Sequence, residues 1–169
     1  GDTIYVWEGN YNENIVIDKE LTIIGNGSSN TVIDGSGINA HRVAISADGV
    51  TLSGFAIEGD ESQNPLYAGL YIEYCNDIVI EHNAINSHGK GGIYLWSSDN
   101  NHVFNNTIEW NLEGGIHAYH SHENVFENNT IQFNTMVQEV NCGIYLYEST
   151  SNTIINNNII DNEDWGIYL

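Results

Sequence analysis

The chain has 169 residues, 41% of them hydrophobic, which supplies a buried core and excludes an intrinsically disordered polymer. Three Lys+Arg against 23 Asp+Glu give a formal net charge of -20, and a surface of that sign repels nucleic acid, anionic membranes and polyanions such as pectate. No apolar run reaches 18 residues, so no membrane insertion is expected of this segment.

Such a balance suits an extracellular or high-salt setting, where repulsion is screened. No motif demands a cofactor, and calcium is the one that the carboxylates would favour.

From its start the chain offers short alternating runs between turn residues. Ile4-Tyr5-Val6, Ile15-Val16-Ile17, Leu21-Thr22-Ile23-Ile24 and Thr31-Val32-Ile33 read as strands, followed by Val43-Ala44-Ile45, Val50-Thr51-Leu52 and Phe55-Ala56-Ile57. Residues 1–57 therefore predict N-terminal coils of poorer periodicity. Residues 58–68, with the only proline, Pro65, are expected to loop out. No stretch has an i, i+3, i+4 apolar pattern of helical length, so the fold class is all-β.

Residues 69–169 repeat regularly. Gly69-Leu70-Tyr71-Ile72, Gly92-Ile93-Tyr94-Leu95, Gly115-Ile116-His117-Ala118, Gly143-Ile144-Tyr145-Leu146 and Gly166-Ile167-Tyr168-Leu169 are spaced by 23, 23, 28 and 23 residues. An Asn-x-Ile series at Asn83, Asn106, Asn129 and Asn157 has spacings of 23, 23 and 28. Both series slip at one place, which puts an insertion around Thr135 to Glu139. Three short strands per 23 residues cannot fold back as hairpins and keep every repeat equivalent. They can wind as one coil of a parallel helix, each strand pairing one coil away at about 4.8 Å. The chain is thus read as one single-stranded parallel β-helix domain, 1–169, of about seven coils.

Stacking gives each position a column. Asn83, Asn106, Asn129 and Asn157 are expected to form an inward hydrogen-bonded ladder, and Asn111, Asn134 and Asn162 another. Ile80, Val103, Phe126, Ile154 and Ile85, Ile108, Ile131, Ile159 are expected as apolar columns.

These repeats resemble the right-handed β-helix group of carbohydrate-binding proteins and sugar hydrolases called CASH, which includes NosD-like repeats and relatives of pectin lyase. The opening stretch through Gly9-Asn10-Tyr11-Asn12-Glu13-Asn14, Leu21-Thr22-Ile23-Ile24-Gly25 and Val32-Ile33-Asp34-Gly35 looks like the start of such domains. The Gly-Ile-Tyr-Leu and Asn-Asn-x-Ile repeats look like NosD-type archaeal and bacterial surface proteins. The resemblance implies right-handed coils, as does the general handedness of parallel crossovers. It also implies where an enzyme's site would lie, on one strand face. The matching esterases use a Gln, two Asp and an Arg, and the lyases calcium-binding carboxylates with a basic residue. Here the only Arg is Arg42, beside His41, and Lys90 sits in a Gly-rich turn. Neither set is present, and the Asp-Pro-His-Asp signature of alginate epimerases is missing.

In Gly-Ile-Tyr-Leu the Ile and Leu point inward and the middle residue outward. This predicts an outward column of Tyr71, Tyr94, His117, Tyr145 and Tyr168 beside a second of Glu73, Trp96, Tyr119 and Tyr147. The strip has three open readings: a ladder that stabilises the sheet, a glycan contact, or a protein interface such as a neighbouring subunit. His117, His120 and His122 cluster on one turn, with Asp99 aligned one coil before His122 and Glu123 nearby. They suggest an acid–base pair of His122 with Asp99, or a metal held by His120 and His122; surface histidines on a turn are the plainer alternative. Glu73 and Glu148 share the face but lie three coils apart, roughly 14 Å, beyond the roughly 5–9.5 Å of a glycosidase pair. Cys75 and Cys142 are placed too far apart to bridge.

The sequence stops just inside a repeat with no polar cap, as expected of a piece of a longer protein or of subunits stacking end to end into a filament. Asn-x-Ser/Thr triplets occur at Asn26, Asn105 and Asn128. Together these features read as a non-catalytic secreted or cell-surface module with a structural role and a glycan or subunit contact. One alternative is a polysaccharide-active enzyme using His117, His122 and Asp99. The other is a NosD-like metal-handling protein.

Overall fold

The computed structural model describes residues 1–35, 37, 39–59, 66–135 and 141–169. Every regular element among them is a short β-strand, and no helix is long and apolar enough to cross a membrane. The strands build three parallel sheets of seven strands each, and every strand pairs with the third one before and after it in the chain. That is the coil arrangement expected from the repeat, with seven coils.

The expected columns form in register. Ile80, Val103, Phe126 and Ile154 stack in the first sheet, and Ile85, Ile108, Ile131 and Ile159 in the second. Most of these side chains are fully buried. The coil that carries the large Phe126 has Ala118 where its neighbours have Leu95 and Leu146, which keeps the core cross-section filled without strain. In the first coils the paired partners, such as Asp2 with Leu21 and Thr22 with Thr51, are separated by unequal lengths of chain. The strand Gly9–Tyr11 went unread in the sequence, because it has no apolar alternation; it pairs with Thr31–Asp34.

The corners follow one rule. Each strand of the regular coils except the last, Trp165–Tyr168, is followed by a residue with left-handed φ, as at Ser97, Asn105, Trp110 and His120. Most of these are not glycine, so each corner costs about 1 kcal/mol. The residue that follows turns inward, and its side-chain oxygen accepts the main-chain N–H of its counterpart one coil earlier. Asn106 Oδ1 accepts from Asn83 N at 3.0 Å and Asn129 Oδ1 from Asn106 N at 3.0 Å. Asn134 and Asn162 continue the second expected ladder from Asn111 at 3.0 and 3.2 Å. Two ladders were not anticipated: Asn101, Asn124 and Asn152, and Ser98, Ser121 and Ser149. Cys75 heads the serine ladder, and burial pushes its thiol up to about 11. His88 heads the Asn111 ladder, its Nε2 lying 3.0 Å from the Ile57 carbonyl, where the asparagines place their amide nitrogens.

Cys75 and Cys142 are both free and buried. Pro65 and most of the expected insertions fall outside the described residues. The flanking pairs still locate the second insertion. Asn134 is 23 residues from its partner Asn111 but 28 from Asn162, while Asn141 is 23 from its partner Asp164. The extra residues therefore lie between Asn134 and Asn141.

Asn106→Ala should lower stability by about 2–4 kcal/mol. The substitution strands the Asn83 N–H and the carbonyls of Ile80 and Phe104, which its amide now satisfies at 2.8 and 3.0 Å. Thr107→Ala, on the outward side of the neighbouring strand, should cost under about 1 kcal/mol. Urea midpoints of the two variants distinguish the ladder from ordinary surface.

Candidate functional site

The third sheet presents the aromatic strip, in the register expected. Tyr71, Tyr94, His117, Tyr145 and Tyr168 align in successive strands, and Glu73, Trp96, Tyr119 and Tyr147 align two residues further on. Exposure departs from expectation. Tyr94, His117 and Tyr145 are buried although they project from the outer face, Tyr71, Glu73, Trp96 and Tyr119 are half-buried, and Tyr147 is 43% exposed. The rings cover one another. Tyr94 lies 5.1 Å from Tyr119 at 17° and Trp96 5.8 Å from Tyr119 at 23°. Near-parallel rings that close cannot lie side by side, so they overlap like shingles and occupy each other's faces. In the preceding coil the register position is Ala44, and His41, outside the strand, stacks on Tyr71 at 4.3 Å.

Lys90 closes over this face, its ammonium 4.1 Å from the Tyr94 ring centre and 5.8 Å from that of Tyr71. Glu113 and His117 complete the group. His117 folds back over Gly114, where a Cβ would come within 2.6 Å of its Nε2. Among the described residues neither of its ring nitrogens finds a partner in hydrogen-bond geometry, and burial lowers its pKa to about 4. The Glu113 main chain favours the protonated ring without meeting that geometry, and Lys90 acts against it. His41 is also lowered to about 4, by burial and then by Lys90. Burial raises Glu113 to about 7, with Lys90 opposing. It also raises Tyr119 to about 12 and the Tyr94 phenol above its ordinary value. Burial thus favours the neutral form of each of these groups.

The histidine turn is arranged differently from its sequence reading. Asp99 and His122 are neighbours, but Asp99 Oδ1 accepts the main-chain N–H of His122 at 2.6 Å and does not pair with its ring. The ring Nδ1 of His122 instead accepts the N–H of Thr150 at 3.1 Å. Asp48, Asn76 and Asp99 do the same with their side-chain oxygens for the next coil. His122 is therefore the fourth acceptor of a turn ladder. His120 points to Glu148, 3.2 Å away, with its ring edge against Trp96 and Tyr147. Among the described residues no three His, Cys, Asp or Glu side chains gather as a metal site.

Sequence reasoning left several features unassigned. Arg42 is buried and donates to the carbonyls of Glu58 and Ala40, and so sits in a structural role at the edge of this face. Trp110 and Phe133 occupy left-handed corners and stack at 4.7 Å. Tyr5 and Trp7 on the first coil are 73% and 78% exposed and border a hollow of about 380 Å³. Adding outward residues in register was not enough to find them, since they lie at corners and in the irregular coils.

Two predictions follow from the titrating groups and the turn ladder. Protonated Glu113 favours the fold, so its contribution is complete below about 4.5 and lost as pH rises to about 7. His41 and His117 act oppositely: their contribution is complete above 6.5 and lost as pH falls to about 4. Glu113→Gln removes only the first term, so the variant should gain stability on wild type between about pH 5 and about pH 7.5, as read by urea midpoints. His122→Asn should keep the Thr150 bond, whereas His122→Ala should cost about 1 kcal/mol in the same assay.

A family model described as "Right handed beta helix region" matches residues 21–169. A cell surface glycoprotein of Methanothermus fervidus is 34% identical over 87 residues, which cover 52% of this chain and 13% of that protein. The chain thus spans about an eighth of that relative's length. Among solved structures, the pectin methylesterase PemA from Erwinia chrysanthemi superposes with a TM-score of 0.59 at 14% identity, over 96% of this chain and 58% of that one. At that identity the likeness is one of fold. Coils, ladders and family match agree, and the chain belongs to the right-handed β-helix family.

Proposed function

We propose that the chain is a non-catalytic structural module of a cell-surface protein, a stiff acidic β-helix that meets glycan or neighbouring subunits through its third-sheet face. The observation that carries this reading is the shingled ring group of Tyr94, Trp96 and Tyr119. Rings that cover each other's faces stabilise a parallel sheet, as cross-strand pairs do. They leave the Tyr147 ring, Glu73 and His120 at least partly open to solvent. That surface fits hydrogen-bonded contact with a hydroxyl-rich glycan or a polar protein edge better than stacking of sugar faces.

Other observations support a structural role. The residues that would act in catalysis are engaged elsewhere: Asp99 and His122 in the turn ladder, His117 beneath the rings. The resemblance to a cell surface glycoprotein supports the setting, as does the net charge of -20, which keeps a displayed module solvated.

Trp96→Ala and Tyr119→Ala should each lower stability by about 2–4 kcal/mol, because half-buried stacked rings are lost. Tyr147→Ala, at the more exposed ring of the strip, should change stability by under about 1 kcal/mol and remove retention on a glycan array. Wild-type melting by Trp96→Ala, or turnover of a polysaccharide by the native chain that Glu113→Gln abolishes, would overturn the structural reading.

A further inference from the structure

The three Asn-x-Ser/Thr triplets match the acceptor pattern for N-linked oligosaccharide transfer, and the fold treats them unequally. In Asn105-Asn106-Thr107 and Asn128-Asn129-Thr130 the middle residue is a buried ladder asparagine. Every main-chain N–H of the first triplet is bonded to a neighbouring coil: Asn105 to the Glu127 carbonyl, Asn106 to Asn129 Oδ1 and Thr107 to the Asn83 carbonyl. The second triplet is held in the same way by Ile155, Asn157 and Asn106. Their outer amides are engaged too. Asn128 Nδ2 donates to Glu127 at 3.3 Å, and Asn105 Nδ2 lies 3.5 Å from His82 Nε2. Neither triplet can extend into an enzyme without breaking a rung over the core.

Asn26-Gly27-Ser28 is different. It lies in the turn between the strands Leu21–Gly25 and Thr31–Asp34, with Asn26 exposed and Gly27 and Ser28 half-buried. Among the described residues its hydrogen bonds all lie within the turn: Asn26 N to Thr31 Oγ1, Asn30 Nδ2 to the Asn26 carbonyl, and Asn30 N and Thr31 N to the Gly27 carbonyl. The Asn26 carboxamide has no hydrogen-bond partner among the described residues. There is room on the side-chain side of Gly27, where a Cβ would find no atom nearer than Asn30 Nδ2 at 3.8 Å, although its main chain lies close to Gly54. A second, independent feature lies beside it. Asn26 borders the hollow of about 380 Å³ walled by Tyr5, Trp7 and Ile24. Tyr5 and Trp7 stand 73% and 78% exposed, and unlike the strip neither ring is stacked on another ring of the described residues.

We propose that Asn26 is the N-glycosylation site of the folded chain, and that the first sugars of its glycan lie over Tyr5 and Trp7. The donor is an oligosaccharide carried on a polyprenyl diphosphate, and a membrane oligosaccharyl transferase supplies the catalysis. The Asn26 amide nitrogen forms a bond to the anomeric carbon, and the anomeric C–O bond to the lipid diphosphate breaks. The lipid diphosphate leaves with the bonding pair, and the amide nitrogen gives up one proton to the transferase. No oxidation or reduction is involved. Sugar C–H faces then cover aromatic surface that otherwise stands in water.

The test incubates the full folded chain with membranes that carry an oligosaccharyl transferase and a dolichyl-diphosphate oligosaccharide, then maps glycopeptides by mass spectrometry. The expected result is one occupied site, Asn26, lost in Asn26→Gln, with Asn105 and Asn128 modified only when the chain is denatured first. An unmodified Asn26 in the folded chain, or Asn105 or Asn128 modified as fully as Asn26, would overturn the assignment. The glycosylated chain should also melt about 2–4 °C higher than the bare one, with a gain at least halved in Trp7→Ala. An equal gain in Trp7→Ala would overturn the placement of the sugars. Because the transferase is added directly, a negative result bears on Asn26 and leaves the surface setting untouched.

Discussion

A side-chain oxygen accepting a main-chain N–H one coil earlier is the interaction on which the rest of this structure depends. A corner of left-handed residues would otherwise leave buried N–H groups without partners, each worth about 1–3 kcal/mol. The rung supplies that partner and fixes the coil length, because a donor and its acceptor must recur at one period. It also explains which residues the corners accept. Serine, asparagine and, at the heads of two ladders, Cys75 and His88 serve, as long as a small or polar group turns inward. Extra residues are tolerated only where no rung must form. The second insertion falls between Asn134, the last rung of its coil, and Asn141, where pairing with the third sheet resumes.

The outer faces obey a different balance. With 23 acidic side chains and three basic ones, charge cannot be neutralised by pairing, so most carboxylates stay solvated. The third sheet departs from this by covering several titratable groups with rings. Its rings shingle, Lys90 lies over them by its cation–π contacts, and burial favours neutral Glu113, His41 and His117. Opposite titrations on one face give it a narrow dependence on pH, because the carboxyl and the imidazoles move in contrary directions over the same window. A catalytic acid–base pair would also show separated pKa values, but it needs the groups to reach a substrate, and here His117 is covered.

How much of this was legible depended on what the residue types could signal. The period, the three sheets, both asparagine ladders and the apolar columns were readable because each repeats in residue identity, as Asn83, Asn106, Asn129 and Asn157 do. The serine ladder was not, since Ser98, Ser121 and Ser149 look like any turn residues until the corner before them is known to be left-handed. Outward direction was readable and exposure was not: alternation shows that Tyr94 leaves the core, but not that Tyr71, Trp96, Tyr119 and Lys90 close over it. His122 invited a chemical reading by its type. Its position, fourth after Asp48, Asn76 and Asp99, carries the structural one.

The fold itself therefore says little about what the outer surface does. A pectin methylesterase superposes over 96% of this chain at 14% identity, so two sequences that share few residues wind the same way. Rungs and inward apolar columns suffice for that, and both lie out of contact with any partner. What distinguishes one such chain from another must sit on residues the coil does not need. In this chain those are the stacked pair Trp110 and Phe133 and the open rings Tyr5 and Trp7, whereas the shingled face also stabilises its sheet. Bulky residues at left-handed φ and exposed tryptophan are both unfavourable in isolation, so each is a place where something other than coil stability has set the residue. Contact with a molecule outside the chain is a physical reason for keeping them, and the glycan proposed at Asn26 would supply it for Tyr5 and Trp7.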